Sequence, residues 1–262
     1  MVFYALRFTL YDAHVMTISN IATNTQTIQQ QIAQAAERAG RDPDEITLVA
    51  ITKTWPADVV TAVYRAGIHH VGENRVEEFV PKQAEVTAEF GADSGLVWHF
   101  VGSLQSRKTD EVADYADAFH ALDRLKIARR LSQRLVENGR VLPCFVQVNI
   151  SGEDSKFGLA ASNWEADKQQ RQQLLNSVRQ MAQLPHLDLV GLMTMAPWQV
   201  EEAIIRRVFR RTRALRDWLQ AELPDLDLSQ LSMGMTDDFL IAVEEGATHV
   251  RIGRALFGER EK

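Results

Sequence analysis

Short apolar runs rich in β-branched residues alternate along this chain with longer amphipathic stretches. The apolar runs lie near 46–52, 68–71, 97–101, 117–120, 144–150, 187–192, 228–232 and 248–252. Each is too short for a helix and reads as a strand. Between them, 57–66, 75–90, 106–115, 123–138, 164–184, 200–222 and 236–245 carry helical spacing, and a short piece follows Gly253. An earlier helix over 24–39 puts Ile28, Ile32, Ala35 and Ala36 on one face and stops at Gly40. Eight strands alternating with helices predict a (β/α)8 TIM barrel. A doubly wound open sheet is the alternative, but no Gly-rich dinucleotide turn follows the first strand. No Pro/Gly/Ser-rich linker divides the chain, so one domain is expected over 16–262. Residues 1–15 match no barrel element. They read as an N-terminal tail without order of its own, or as a misplaced start with Met16 as the true initiator.

Composition narrows the function classes. A net charge of −6 leaves no electrostatic footprint for nucleic acid. Arg206, Arg207, Arg210, Arg211 and Arg213 spread around a helix that also carries Ile204, Val208, Leu215 and Leu219, which reads as a solvated face. The single Cys144 excludes an internal disulfide framework and a cysteine-rich zinc site. No apolar run approaches the ~20 residues of a membrane span, and no signal-peptide core opens the chain. The cytoplasm is the expected location, with neither membrane nor nucleic acid as partner.

The candidate chemistry sits where strands end. Lys53 closes the first strand, and Pro56 marks the helix start beyond it. A lysine there loses hydration, which lowers its pKa and frees an amine for aldehydes. The plainer reading is a side chain that snorkels to the rim. Gly72-Glu73-Asn74-Arg75 follows the second strand, Asn149 closes the fifth and Met193 the sixth. The seventh gives Leu231-Ser232-Met233-Gly234-Met235-Thr236, and the eighth Val250-Arg251-Ile252-Gly253-Arg254. In such barrels the last two loops usually cradle phosphate. A strand-end lysine opposite a phosphate grip suggests a phosphorylated aldehyde held as a Schiff base, and pyridoxal 5′-phosphate (PLP) is the candidate. His99 reads as a packed strand residue, His69-His70 lacks a carboxylate at metal spacing, and no metal is assigned. Asp237 and Asp238 read as helix N-terminal residues.

These stretches, with Trp98-His99-Phe100-Val101-Gly102, Gln147-Val148-Asn149-Ile150, Lys156-Phe157-Gly158 and Gly191-Leu192-Met193, resemble the pyridoxal-phosphate homeostasis proteins, single-domain relatives of the alanine racemase barrel. The resemblance runs from about residue 28 to 258. It implies PLP on Lys53, with Asn74, Asn149 and Met193 as neighbours and Ser232 and Gly253 on the phosphate. It also implies an arginine opposite the pyridine nitrogen, as in the racemases, with Arg251 at the matching position and Arg254 as the alternative. The implied role is carriage or regulation of the cofactor in vitamin B6 and amino-acid homeostasis, without an established catalytic activity. PLP-dependent apo-enzymes are the partners such a role calls for. The sequence departs from the family in carrying Arg254 where Thr or Ser is usual; the guanidinium either replaces the hydroxyl on the phosphate or points to solvent. The rival reading is an amino-acid racemase of the alanine racemase type. Such enzymes use a tyrosine from a second domain, and the chain ends at Lys262, soon after the last strand. Tyr4 and Tyr11 fall in the tail, and Tyr64 and Tyr115 on helices.

Overall fold

The computed structural model describes the backbone of residues 2–258 and the side chains of residues 18–258. Eight parallel strands form the sheet: β1 (Thr47–Ile51), β2 (His70–Glu73), β3 (Val97–Phe100), β4 (Ala118–Leu122), β5 (Leu142–Asn149), β6 (Leu187–Met193), β7 (Gln230–Ser232) and β8 (His249–Ile252). Neighbours pair in chain order, β8 pairs with β1, and β4 pairs with β5, so the sheet closes. The expected (β/α)8 barrel is therefore present. A two-residue strand over Leu159–Ala160 adds to the upper end of β5, a pairing the sequence pattern did not suggest.

The helices are α1 (Val2–Arg38), α2 (Ala57–Arg65), α3 (Val76–Phe90), α4 (Thr109–Tyr115), α5 (Leu125–Asn138), α6 (Lys168–Ala182), α7 (Glu202–Glu222), α8 (Phe239–Glu244) and α9 (Arg254–Phe257). The sequence pattern overran α6 at its start and α8 at its start. In α6 the helix waits for Asp167, whose side chain accepts from the N–H groups of Gln169 and Gln170. The backbone of α1 is helical from Val2, where the sequence suggested a tail; the side chains of residues 1–17 lie outside the described residues. Further along, Ala35 and Ala36 are fully buried, and α1 packs on α8 and α9. Asn24 Nδ2 ties it to Leu256 O at 2.8 Å.

Period-two alternation sorts each strand into two faces. Outward residues meet the helices: Phe79 of α3 packs on Trp98 and Phe100 of β3. Inward residues meet across the barrel, where His120 and His249 are in ring contact with each other and with both His99 and Phe145. A Cβ on Gly72 would strike Ile51 at 2.6 Å and Val49 at 3.1 Å, which places Val49, Ile51 and then Lys53 on the inward face of β1.

Candidate functional site

Lys53 sits in a tight turn at the upper mouth of the barrel and is half-buried. The turn is held hard. Trp55 N–H donates to Thr52 O at 3.0 Å. Thr54 takes φ 68°, a backbone region a β-branched residue rarely occupies, and its N–H donates to Glu78 at 2.6 Å. Beneath it lies a buried ion pair. Lys82 Nζ donates to Glu73 Oε1 at 2.5 Å and to Thr52 O at 2.9 Å, and Thr52 Oγ1 donates to the same carboxylate at 2.7 Å. Burial raises the Glu73 pKa, and Lys82 opposes that shift. The residue before Lys53 is thus pinned to β2 and α3 together, which fixes where the lysine leaves the strand.

Lys53 borders a cavity of about 460 Å³ at the C-terminal end of the strands, within the range of small-molecule sites. Asn74, Met193, Arg251, Gly253 and Arg254 border the same cavity. Six of the eight residues singled out from the sequence therefore meet there. Its floor is apolar, from Ile51, Val101 and Met193. Gly102 is required at its wall, because a Cβ there would lie 2.1 Å from Asn74 O. Asn74 Oδ1 is buried without a hydrogen-bond partner. A buried polar atom left unpaired beside a half-buried lysine and a buried arginine is the mark of a site built for a polar ligand. An amine, a donor–acceptor amide, two guanidinium groups and an apolar floor fit a flat aromatic aldehyde with an anionic arm, which is what PLP is.

Two predicted residues stand elsewhere. Ser232 does not border the cavity. It is fully buried, and its hydroxyl is engaged by Arg251 Nη1 at 2.6 Å and His120 Nδ1 at 2.7 Å. The hydroxyl expected to meet phosphate instead holds the arginine. Asn149 also stays outside the cavity lining. Its Nδ2 donates to the carbonyls of Glu153 and Lys156, and its Oδ1 accepts from Gly152 N–H, so it shapes the loop after β5. Arg254 lies at the rim, partly exposed and paired with Asp237.

Arg251 is 5% exposed and donates to Ser232 Oγ and Thr194 O. Burial lowers its pKa to about 10, with Asp238 opposing, so it stays charged near neutrality. The sequence reading missed Thr236, Met235 and Trp198, all of which border the cavity. In the sequence Thr236 ends the seventh-strand loop and reads as a helix start, with no role of its own. Its hydroxyl accepts from Ala255 N–H at 3.3 Å, which joins the loops after β7 and β8. A signal was available for Trp198, a large aromatic in the loop after a strand end; it is 69% exposed.

Among the described residues, no group of three or more His, Cys, Asp or Glu side chains is arranged to hold a metal ion. No described helix is long and apolar enough to cross a membrane. In α7, Arg206 and Arg210 pair with Glu245, and Arg211 with Glu165, so these arginines are tied into the protein surface.

A closed single barrel with a lysine ending β1 and an arginine ending β8, both on one upper cavity, defines the class of the alanine racemase N-terminal domain. The profile described as alanine racemase, N-terminal domain, matches residues 23–261. A pyridoxal phosphate homeostasis protein of Pseudomonas aeruginosa is 42% identical over 93% of this chain and 97% of its own length. The structure of PipY from Synechococcus elongatus with PLP bound is 33% identical, with a TM-score of 0.77 over 91% of this chain and all of that one. The chain belongs to the pyridoxal phosphate homeostasis protein family. An alanine racemase of Clostridium difficile shares the fold alone, at 12% identity and a TM-score of 0.66 over 93% of this chain and 58% of that one.

Proposed function

We propose that this protein holds pyridoxal 5′-phosphate covalently through Lys53 and carries or regulates that cofactor in vitamin B6 and amino-acid homeostasis. The observation that carries the reading is the convergence of Lys53, Asn74 with its unpaired Oδ1, and Arg251 on one cavity. The names of the relatives and the PLP-bound PipY structure support the choice of ligand. When bound, PLP supplies a carbonyl that condenses with an amine, with loss of water, and a ring that withdraws electrons. In our assignment Lys53 provides the amine, Asn74 a polar contact, and Gly253 and Arg254 the surroundings of the phosphate. Met193 contributes to the apolar floor. Asn149 supports the site from the adjoining loop.

In our assignment Arg251 faces the ring nitrogen of PLP. A guanidinium can only donate, and a carboxylate is the usual means of keeping a pyridine nitrogen protonated. An arginine at the ring nitrogen leaves PLP a weaker electron sink, and the racemases are expected to carry the same arginine. What separates the two readings is the second base that a racemase needs. Among the described residues no tyrosine borders the cavity: Tyr64 OH is committed to Ser94 O at 2.8 Å, and Tyr115 is exposed at the end of α4. We place the protein in the cytoplasm, with PLP-dependent apo-enzymes as recipients. The lone, buried Cys144 suits that reducing compartment.

The test is borohydride reduction of the PLP-loaded protein followed by peptide mapping. The expected adduct is on Lys53, and Lys53→Ala loses it. An adduct on Lys82, Lys108 or Lys156 refutes the assignment.

A further inference from the structure

The barrel interior holds an unbroken row of hydrogen bonds that runs from Arg251 away from the cavity. Arg251 Nη1 meets Ser232 Oγ at 2.6 Å, Ser232 Oγ meets His120 Nδ1 at 2.7 Å, His120 Nε2 meets His99 Nδ1 at 2.8 Å, and His99 Nε2 meets His70 Nδ1 at 2.9 Å. Ser232 and His120 are fully buried and His99 is 2% exposed. The row starts at the cofactor cavity and ends at His70. That residue borders a separate cleft with His69, Asp44 and Thr47, at the opposite end of the strands.

The donor at one end decides the direction of every bond. Arg251 has no acceptor atom, so Ser232 Oγ accepts from it. The serine hydrogen then needs an acceptor, and His120 Nδ1 is the atom in reach. A bare Nδ1 puts the His120 proton on Nε2, which donates to His99 Nδ1. By the same step His99 donates from Nε2 to His70 Nδ1, and His70 carries its own proton on Nε2. The reverse order would leave the Ser232 hydrogen without an acceptor in a fully buried place, the costly arrangement. No ring nitrogen then keeps a free lone pair for an extra proton. The charged and titratable groups around the row are His249, Arg251 and Asp238, with His69 at the far end. Of these, Arg251 and His249 disfavour a further positive charge on His120.

We propose that Ser232, His120, His99 and His70 form a neutral hydrogen-bonded row of one polarity that positions the Arg251 guanidinium at the cofactor cavity, each histidine carrying its proton on Nε2. They are positioning residues. The row itself does not depend on the cofactor assignment. Its consequence for ligand binding rests on that reading.

The test begins with the ligand-free protein labelled with 15N-histidine and followed by NMR from about pH 8 to about pH 5.5. The expected spectrum shows protonated Nε2 and acceptor Nδ1 for all three histidines, with no titration of His99 or His120. A proton on Nδ1 of either, or a midpoint near the ordinary value, overturns the proposal. Ser232→Ala should release His120 Nδ1 and move its resonance; an unmoved His120 resonance overturns the anchoring by Arg251. In the second arm, Ser232→Ala should weaken PLP and pyridoxal alike, by about ten- to a hundredfold, and Ser232→Thr, which keeps the hydroxyl, should restore both. Weakening of PLP alone would mean that Ser232 serves the phosphate and would overturn the positioning role. If neither ligand binds the wild-type protein while the NMR pattern holds, the cofactor reading fails and the row stands.

Discussion

Mild acid should destabilise this barrel through its interior histidines. His99, His120 and His249 are held below the ordinary value of 6.5, first by burial and then by neighbouring positive charge, and His249 is lowered to about 4. In the unfolded chain each takes up a proton as pH falls through about 6.5, while the native barrel keeps them neutral. The unfolded state then binds more protons, so stability rises with pH and is lost as pH falls below that value. At about pH 5.5 one such histidine costs RT ln(1 + 10), or about 1.4 kcal/mol. Three together cost about 4 kcal/mol, a large part of the 5–15 kcal/mol typical of a domain. Glu73, Asp123 and Asp238, whose pKa values are raised by burial, act in the opposite sense. The clean measurement is therefore a difference. Urea unfolding of the wild type and of His120→Gln at about pH 8 and about pH 5.5 should show a pH-dependent loss about 1.4 kcal/mol smaller in the variant. Equal losses in the two proteins would refute the reasoning, because His120 would then titrate alike in both states.

Three further outcomes are expected. Lys82→Ala leaves the Glu73 carboxylate buried without its cation and should cost about 3–5 kcal/mol of stability by urea unfolding; a loss below about 1 kcal/mol would contradict the buried pair. Arg254→Ala should weaken PLP by about 1 kcal/mol and leave pyridoxal unchanged in equilibrium titrations, a small effect because the side chain is exposed and already paired with Asp237; equal weakening would remove Arg254 from the phosphate. A chain starting at Met16 should match the full chain in melting temperature and PLP binding, and a large drop in melting temperature would show that the first turns of α1 pack on the barrel.

The parts of the site that were legible in the sequence are those fixed within one strand and its following loop. Lys53 stood out because an apolar run ended in a lysine, and Asn74 and Arg251 because their strands end at the same mouth. Ser232 misled because facing inward does not say which partner a hydroxyl takes. It pairs in register with Met193 of the cavity floor, but its hydroxyl is taken by Arg251 and His120. Thr236, further along the same loop, reaches the cavity instead. The histidine row was harder still. Its members come from β2, β3, β4 and β7, and the two longest steps join residues 29 and 112 positions apart. Taken singly, each of its histidines reads as a packed strand residue. Yet a buried histidine in an apolar strand needs a partner, and His70, His99 and His120 fall on successive strands of a closed barrel, each on its inward face. Neighbouring parallel strands bring such positions within hydrogen-bonding reach of one another. Three of them in a row satisfy each other except at the two ends, so the end inside the barrel must find a polar group of its own. Ser232 is that group, and its remaining capacity is what holds Arg251.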